Sequence, residues 1–223
     1  IRVVEEGPVR VAVEIVRRFG SSEVRQQVRL AEHGSRLEFV TEVEWHESDK
    51  LLKVAFPVNV SAAHATYEIQ YGHVERPTHK NTSWDMARFE VVAHKWADLS
   101  EGNYGVALLN DCKYGHDTVG NTLRLSLLRA PKNPDPNADM GRHRFTYALY
   151  PHRGDLREGR VVKEAYRLNV PLRALPASAH PGDLPPVHSF FTLDNDNVLL
   201  EVVKRAEGED ALVVRLYEAH NTR

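Results

Sequence analysis

Arg36-Leu37-Glu38-Phe39-Val40-Thr41-Glu42-Val43-Glu44-Trp45-His46 alternates in character over its whole length. Leu37, Phe39, Thr41, Val43 and Trp45 fall on one side of an extended chain, while Glu38, Glu42 and Glu44 fall on the other. Successive strand side chains point to opposite faces, so this period of two predicts a strand with one buried face. Working outward, Val9, Val11, Val13 and Ile15 alternate with Arg10, Ala12, Glu14 and Val16, and Leu212, Val214 and Leu216 alternate with Val213, Arg215 and Tyr217. Further strand-like runs cover residues 23–30, 52–57, 64–70, 89–97, 105–110, 123–128, 143–150, 187–192 and 198–204. The total is about twelve strands. His33-Gly34-Ser35 and Asp194-Asn195-Asp196-Asn197 lie between runs and have the chemistry of hairpin turns.

One stretch breaks the alternation. Between residues 156 and 168, Val161, Val162, Ala165, Tyr166 and Leu168 recur at three- and four-residue spacing, which predicts an amphipathic helix ending before Pro171. Residues 174–186 hold four prolines and read as a linker crossing between two sheets. Many antiparallel strands with one short helix make the fold class all-β, a large antiparallel β-sandwich.

The 223 residues suffice for one large domain or two small ones. A chain of this length buries roughly 70% of its extended surface without staples. The 29 basic and 31 acidic residues leave a net charge of −2, which argues against a sequence-independent nucleic-acid binder. No apolar run approaches the ~20 residues that cross a bilayer, and no signal peptide is visible at Ile1. The single cysteine, Cys112, leaves no internal disulfide framework and no cysteine-rich zinc site. Asn59-Val60-Ser61 and Asn81-Thr82-Ser83 match glycosylation sequons, but such triplets are common by chance, and a reducing, cytoplasmic compartment is expected. The chain lacks an initiator methionine and has strand-like stretches close to both termini, so it is expected to be a piece of a longer polypeptide.

Candidate chemistry is sparse. His64, His73, His79 and His94 are scattered, there is no His-Glu-x-x-His, and His143 and His152 stand nine apart, so hydrogen-bonded histidines are the commoner reading over a metal site. The Asp194–Asn197 tract lacks the later glycine and glutamate of a calcium loop. No nucleophile elbow or phosphate-cradling glycine loop is present. Cys112 has only Lys113 and His116 near it in sequence and reads as a small buried thiol. More distinctive is the loop Pro131-Lys132-Asn133-Pro134-Asp135-Pro136-Asn137-Ala138-Asp139-Met140-Gly141, stiffened by three prolines and carrying two free aspartates. Such a loop suits contact with a sugar or a neighbouring domain, against the alternative of a solvated connection.

The run Phe89-Glu90-Val91-Val92-Ala93-His94-Lys95-Trp96-Ala97-Asp98-Leu99-Ser100, continued through residues 110–116 to Pro151-His152, resembles family 38 glycoside hydrolases of the cytosolic, vacuolar and bacterial α-mannosidase type. Phe56-Pro57-Val58 and Leu216-Tyr217-Glu218-Ala219 fit the same pattern, so the resemblance spans nearly the whole chain. It implies that residues 1–223 are the C-terminal supersandwich, of the galactose-mutarotase-like class, of a retaining enzyme that hydrolyses terminal α-D-mannosides in mannose metabolism and oligosaccharide degradation. It further implies that the catalytic residues, and a divalent metal expected to be zinc, belong to an N-terminal α/β barrel outside this sequence. No catalytic residue, cofactor or metal ligand is then expected here.

Retaining glycosidases need two carboxyl groups about 5–5.5 Å apart, and none of the 31 acidic residues is singled out by spacing as such a pair. The chain alone is expected not to turn over. In related mannosidases one sandwich loop approaches the substrate, and residues 131–143 match it best. Golgi and lysosomal relatives carry an arginine before the loop glycine, but Met140 precedes Gly141 here, so that contact does not carry over. Asp135, Asp139, Gly141 and His143 are the expected rim residues, with Lys113, Tyr114 and His116 as interface or sugar contacts. Expected partners are the barrel of the same enzyme, the α-mannoside and a second copy of the chain, with no nucleic acid and no membrane. An alternative is a free-standing carbohydrate-binding sandwich: Trp45 reads as core, Trp96 as undecided, and Trp84 as an exposed stacking platform. An aldose-epimerase-like enzyme would need a facing acid and base, and no motif supports one.

Overall fold

A computed structural model describes residues 1–222. In chain order the strands are β1 (Arg2–Glu6), β2 (Arg10–Phe19), β3 (Ser22–Ala31), β4 (Leu37–Trp45), β5 (Leu51–Pro57), β6 (His64–Ile69) and β7 (Gly72–Pro77). Helix α1 (Ser83–Ala87) follows, then β8 (Val91–Val92), β9 (Trp96–Glu101), β10 (Tyr104–Asn110), β11 (Gly115–Val119), β12 (Thr122–Arg129) and β13 (Gly141–Arg153). Helix α2 (Val161–Asn169) precedes β14 (Val198–Arg205) and β15 (Leu212–Glu218).

Nine strands form one antiparallel sheet in the order β1-β2-β3-β4-β13-β10-β9-β6-β7. A second sheet runs β5-β12-β11-β8, and β14 pairs with β15 alone. The large antiparallel sandwich expected from the alternation is therefore present. At the centre of the large sheet the pleat sorts side chains into two cores. Val106, Leu108, Phe145 and Tyr147 face Leu123 and Leu125 of the small sheet. Ala107, Leu109, Ala148 and Trp96 face Val161, Val162 and Ala165 of α2, with Tyr217 of β15 beside them. Full burial of each large side chain contributes roughly 1.5–3 kcal/mol, which makes this doubly covered centre the stable heart of the domain.

In β4, Thr41, Val43 and Trp45 are buried as the alternation predicts. In β2 the expectation that Val9 and Val11 are buried needs correction. Val11 shares the face of Leu30 and Leu37 through the register Val11↔Leu30 and Leu30↔Leu37, but none of these side chains packs into the core between the two sheets. Val3 is 58% and Val11 52% exposed, whereas Ala12 and Glu14 on the opposite face are buried. Glu14 is held there by Arg2 at 2.8 Å and Arg25 at 3.2 Å.

The helix expected over 156–168 begins only at Val161, because residues 155–160 form turns whose amides bond Asp155 and Arg157 carbonyls. Strands β7 and β11 escaped the sequence reading, β11 because Gly115-His116-Asp117-Thr118-Val119 shows no apolar alternation. The run 89–97 splits into β8 and β9. Residues 187–192 form no strand, so the Asp194–Asn197 tract is a turn entering β14 rather than a hairpin. The β14–β15 hairpin instead closes where Ala206 N–H donates to Ala211 O.

Candidate functional site

The β12–β13 connection is folded by its own short-range bonds. Asp135 Oδ1 accepts from Asn137 N at 2.8 Å, and Met140 N donates to Asn137 O. Asp139 adopts a left-handed φ of 59°, and its carboxylate caps Arg129 N at 3.0 Å. Gly141 follows at φ 103°, a conformation that favours glycine, and from there the chain enters β13. His143 donates through Nε2 to Asp139 O at 2.7 Å, tying the loop to its strand. Three of the four expected rim residues, Asp139, Gly141 and His143, therefore sit together at the loop's C-terminal foot, and Asp135 stands at its exposed tip.

Lys113 and Tyr114 come alongside through the β10–β11 connection. Thr146 of β13 bonds Asp111 Oδ2, and the Lys113 ammonium lies 4.5 Å from the centre of the Phe145 ring, two residues from His143. Tyr114 is exposed and meets His94 edge-on at 5.6 Å. His116 departs from the expected surface role. It is 1% exposed, because its position in β11 points between the sheets toward Tyr67, and burial drives its pKa down to about 4. Cys112 also departs from expectation, lying exposed in the β10–β11 turn rather than buried, with its pKa pushed up to about 11 by partial burial and by Asp111.

Trp84 sits on α1 and is 76% exposed, with Met86 and Phe89 also exposed beside it. Thr82 caps α1 by accepting from Asp85 N, and Thr82 N donates to the Asp85 carboxylate, which closes a capping box at the start of the short helix. Phe89 and Pro131 line one shallow depression, so the α1 region and the start of the 131–143 loop share a surface. Trp45 and Trp96 are both core.

Two polar clusters gave no sequence signal. On the α2 face, His152 donates to Asp98 Oδ1 at 2.8 Å with both side chains buried, and Ser100 donates to the other Asp98 oxygen. Burial alone would lower the His152 pKa, but the Asp98 carboxylate outweighs it and the net movement is upward. Gly159 allows this pocket to close, since a Cβ there would lie 2.3 Å from the imidazole. On the outer face of the small sheet, Asp117 binds Arg124 at 2.8 Å and also Lys53, which approaches Glu90 at 3.6 Å. Among the described residues no group of three or more His, Cys, Asp or Glu is placed to hold a metal ion. No described helix is long and apolar enough to cross a membrane.

Residues 1–137 match the profile of the glycosyl hydrolases family 38 C-terminal domain. The chain belongs to that family. It is 54% identical over 206 residues to alpha-mannosidase 2C1 of Mus musculus, covering 91% of this chain and 20% of the relative. It is 46% identical over 230 residues to alpha-mannosidase G of Dictyostelium discoideum, covering 98% of this chain and 21% of the relative. An alpha-mannosidase structure from Enterococcus faecalis V583 superposes with a TM-score of 0.85 at 20% identity, over 97% of this chain and 29% of that one, and shares its fold. This family 38 domain thus spans about a fifth of the length of the curated relatives it matches, and its place in the family is that of an accessory domain.

Proposed function

We propose that this family 38 domain is the C-terminal sandwich of a retaining, cytoplasmic α-mannosidase acting on terminal α-D-mannosides. The observation that carries the reading is the family match, joined to relatives named alpha-mannosidases of which the chain covers only a fifth. In this reading a catalytic barrel outside these residues supplies the carboxylate pair that retention requires. The same barrel holds the divalent metal, which we propose to be zinc. The sandwich supports that barrel, and the 131–143 loop stands at the active-site rim. His143, Asp139 and Gly141 form the foot of that rim, and Lys113 and Tyr114 flank it. The exposed apolar side chains of β1 and β2 suit a packing surface for the barrel or for a second copy of the chain.

A second reading rests on Trp84, whose exposure suits stacking on a sugar face in a free-standing binding module. Aryl α-mannoside hydrolysis separates the two. The 223-residue chain is expected to give no turnover with or without added zinc, and a longer polypeptide that includes the barrel is expected to turn over. Hydrolysis by the short chain would overturn the accessory role. Mannose-oligosaccharide binding by the short chain that is lost in Trp84→Ala would favour the binding module.

A further inference from the structure

Six buried side-chain polar atoms lack a hydrogen-bond partner among the described residues, and two of them, Arg76 Nη1 and Thr118 Oγ1, belong to residues that line the same cavity. The cavity is small, about 30 Å³, and open to solvent, and it lies between β7, α1 and β11. Tyr67 forms part of its wall, with the Arg76 guanidinium carbon 4.8 Å from the ring centre. Leaving a guanidinium nitrogen buried and unpaired is costly, and buried arginines normally find a carboxylate.

The nearby carboxylates are committed elsewhere. Asp117 gives its oxygens to Arg124 and Lys53. Asp85 bonds the Thr82 backbone and stands 4.0 Å from His79. The remaining charged groups on the wall are cationic: Lys80 and Arg88, with His79 beside them. Burial, reinforced by Arg88, holds the Arg76 pKa below its ordinary value. Three cationic side chains, Arg76, Lys80 and Arg88, thus meet two carboxylates around this cavity, and neither carboxylate bonds Arg76.

We propose that this cavity binds a small oxyanion, received by Arg76 Nη1 and Thr118 Oγ1 and matched in charge by Arg88 and Lys80. Carboxylate and phosphate share the required chemistry, since guanidinium offers paired donors to either. The oxyanion has two sources: a free anion, or an acidic side chain from the part of the enzyme outside this sequence. The free-anion source rests on this chain's own residues alone, whereas the built-in carboxylate rests on the reading of the chain as part of a longer mannosidase.

The test is a titration of the 223-residue chain with acetate and, separately, with inorganic phosphate. Ionic strength is held constant with sodium chloride, and the Arg76 Nε–Hε resonance is followed. A saturable shift with a millimolar midpoint is expected, weakened at least threefold in Arg88→Gln and abolished in Arg76→Lys. Arg88 is exposed, so its variant keeps the test decisive if Arg76→Lys fails to fold. A small linear drift, equal in wild type and Arg88→Gln, would mean that water alone fills the cavity and would overturn the proposal. Repeating the titration on the longer enzyme distinguishes the sources. A saturable response there assigns a free anion, whereas a resonance already displaced and unresponsive assigns a built-in carboxylate.

Discussion

The centre and the β1–β3 end of the nine-stranded sheet both carry large aliphatic side chains, in different surroundings. At the centre, Leu108 and Leu109 are adjacent on β10, yet both are fully buried, one beneath the small sheet and one beneath α2. At the end, Val3, Val11 and Leu30, on three neighbouring strands, share one face but remain exposed on the face that Val43 and Trp45 bury farther along. Alternation reports which face a side chain takes. What covers that face is decided by where the second layer stops.

The sharpest way to break this contrast is Leu108→Ala. A fully buried leucine in a covered layer loses its transfer energy and leaves a cavity, so the expected cost is about 3–5 kcal/mol, read as a fall in urea midpoint at constant slope. A loss below about 1 kcal/mol would mean that the centre is no better packed than the end.

The legibility of the molecule followed the same divide. The alternating runs that became β2, β3, β4 and β13 were readable because one apolar and one polar face survive in their order of residues. Strand β11 was not, because His116 and Thr118 face the core as polar groups and Asp117 sits opposite them in an ion-pair cluster. Its strand character comes from pairing with β12 and β8, which is tertiary information. The candidate site divided likewise. Asp139, Gly141 and His143 are close in sequence and meet at one loop foot, so their grouping was legible in the order of residues. Asp98 and His152 are 54 residues apart and meet only through the β9–β10–β13 register, so they were missed. His116 was grouped with Lys113 and Tyr114 as an interface or sugar contact from the family resemblance, and its burial follows from the face of β11 it takes, which the sequence does not show.

That histidine supplies a smaller and more specific probe of the covered centre. Folded His116 stays neutral down to about pH 4, whereas an unfolded histidine takes its proton near pH 6.5. Between those values the unfolded state binds more protons, so stability falls as pH drops through the window and is unaffected by this group above it. The contribution approaches about 3 kcal/mol near pH 4. His116→Gln is expected to flatten the pH dependence of the urea midpoint between pH 6.5 and 4.5 relative to wild type. Identical slopes for the two proteins would place His116 in contact with water.

The smallest expected effect tests the uncovered end. Val11→Thr keeps a β-branched side chain in an exposed strand position, so in the 223-residue chain it should change stability by less than about 0.5 kcal/mol. In a longer enzyme whose barrel covers β1 and β2, the same hydroxyl becomes a buried polar group without a partner and costs about 1–3 kcal/mol. Measuring the variant in both proteins therefore reads the covering directly. A small loss in the short chain with a large one in the long chain places the barrel on this face. Equal small losses in both would leave Val3 and Val11 facing water in the whole enzyme and would move the packing surface elsewhere, to the Trp84, Met86 and Phe89 group beside the 131–143 loop.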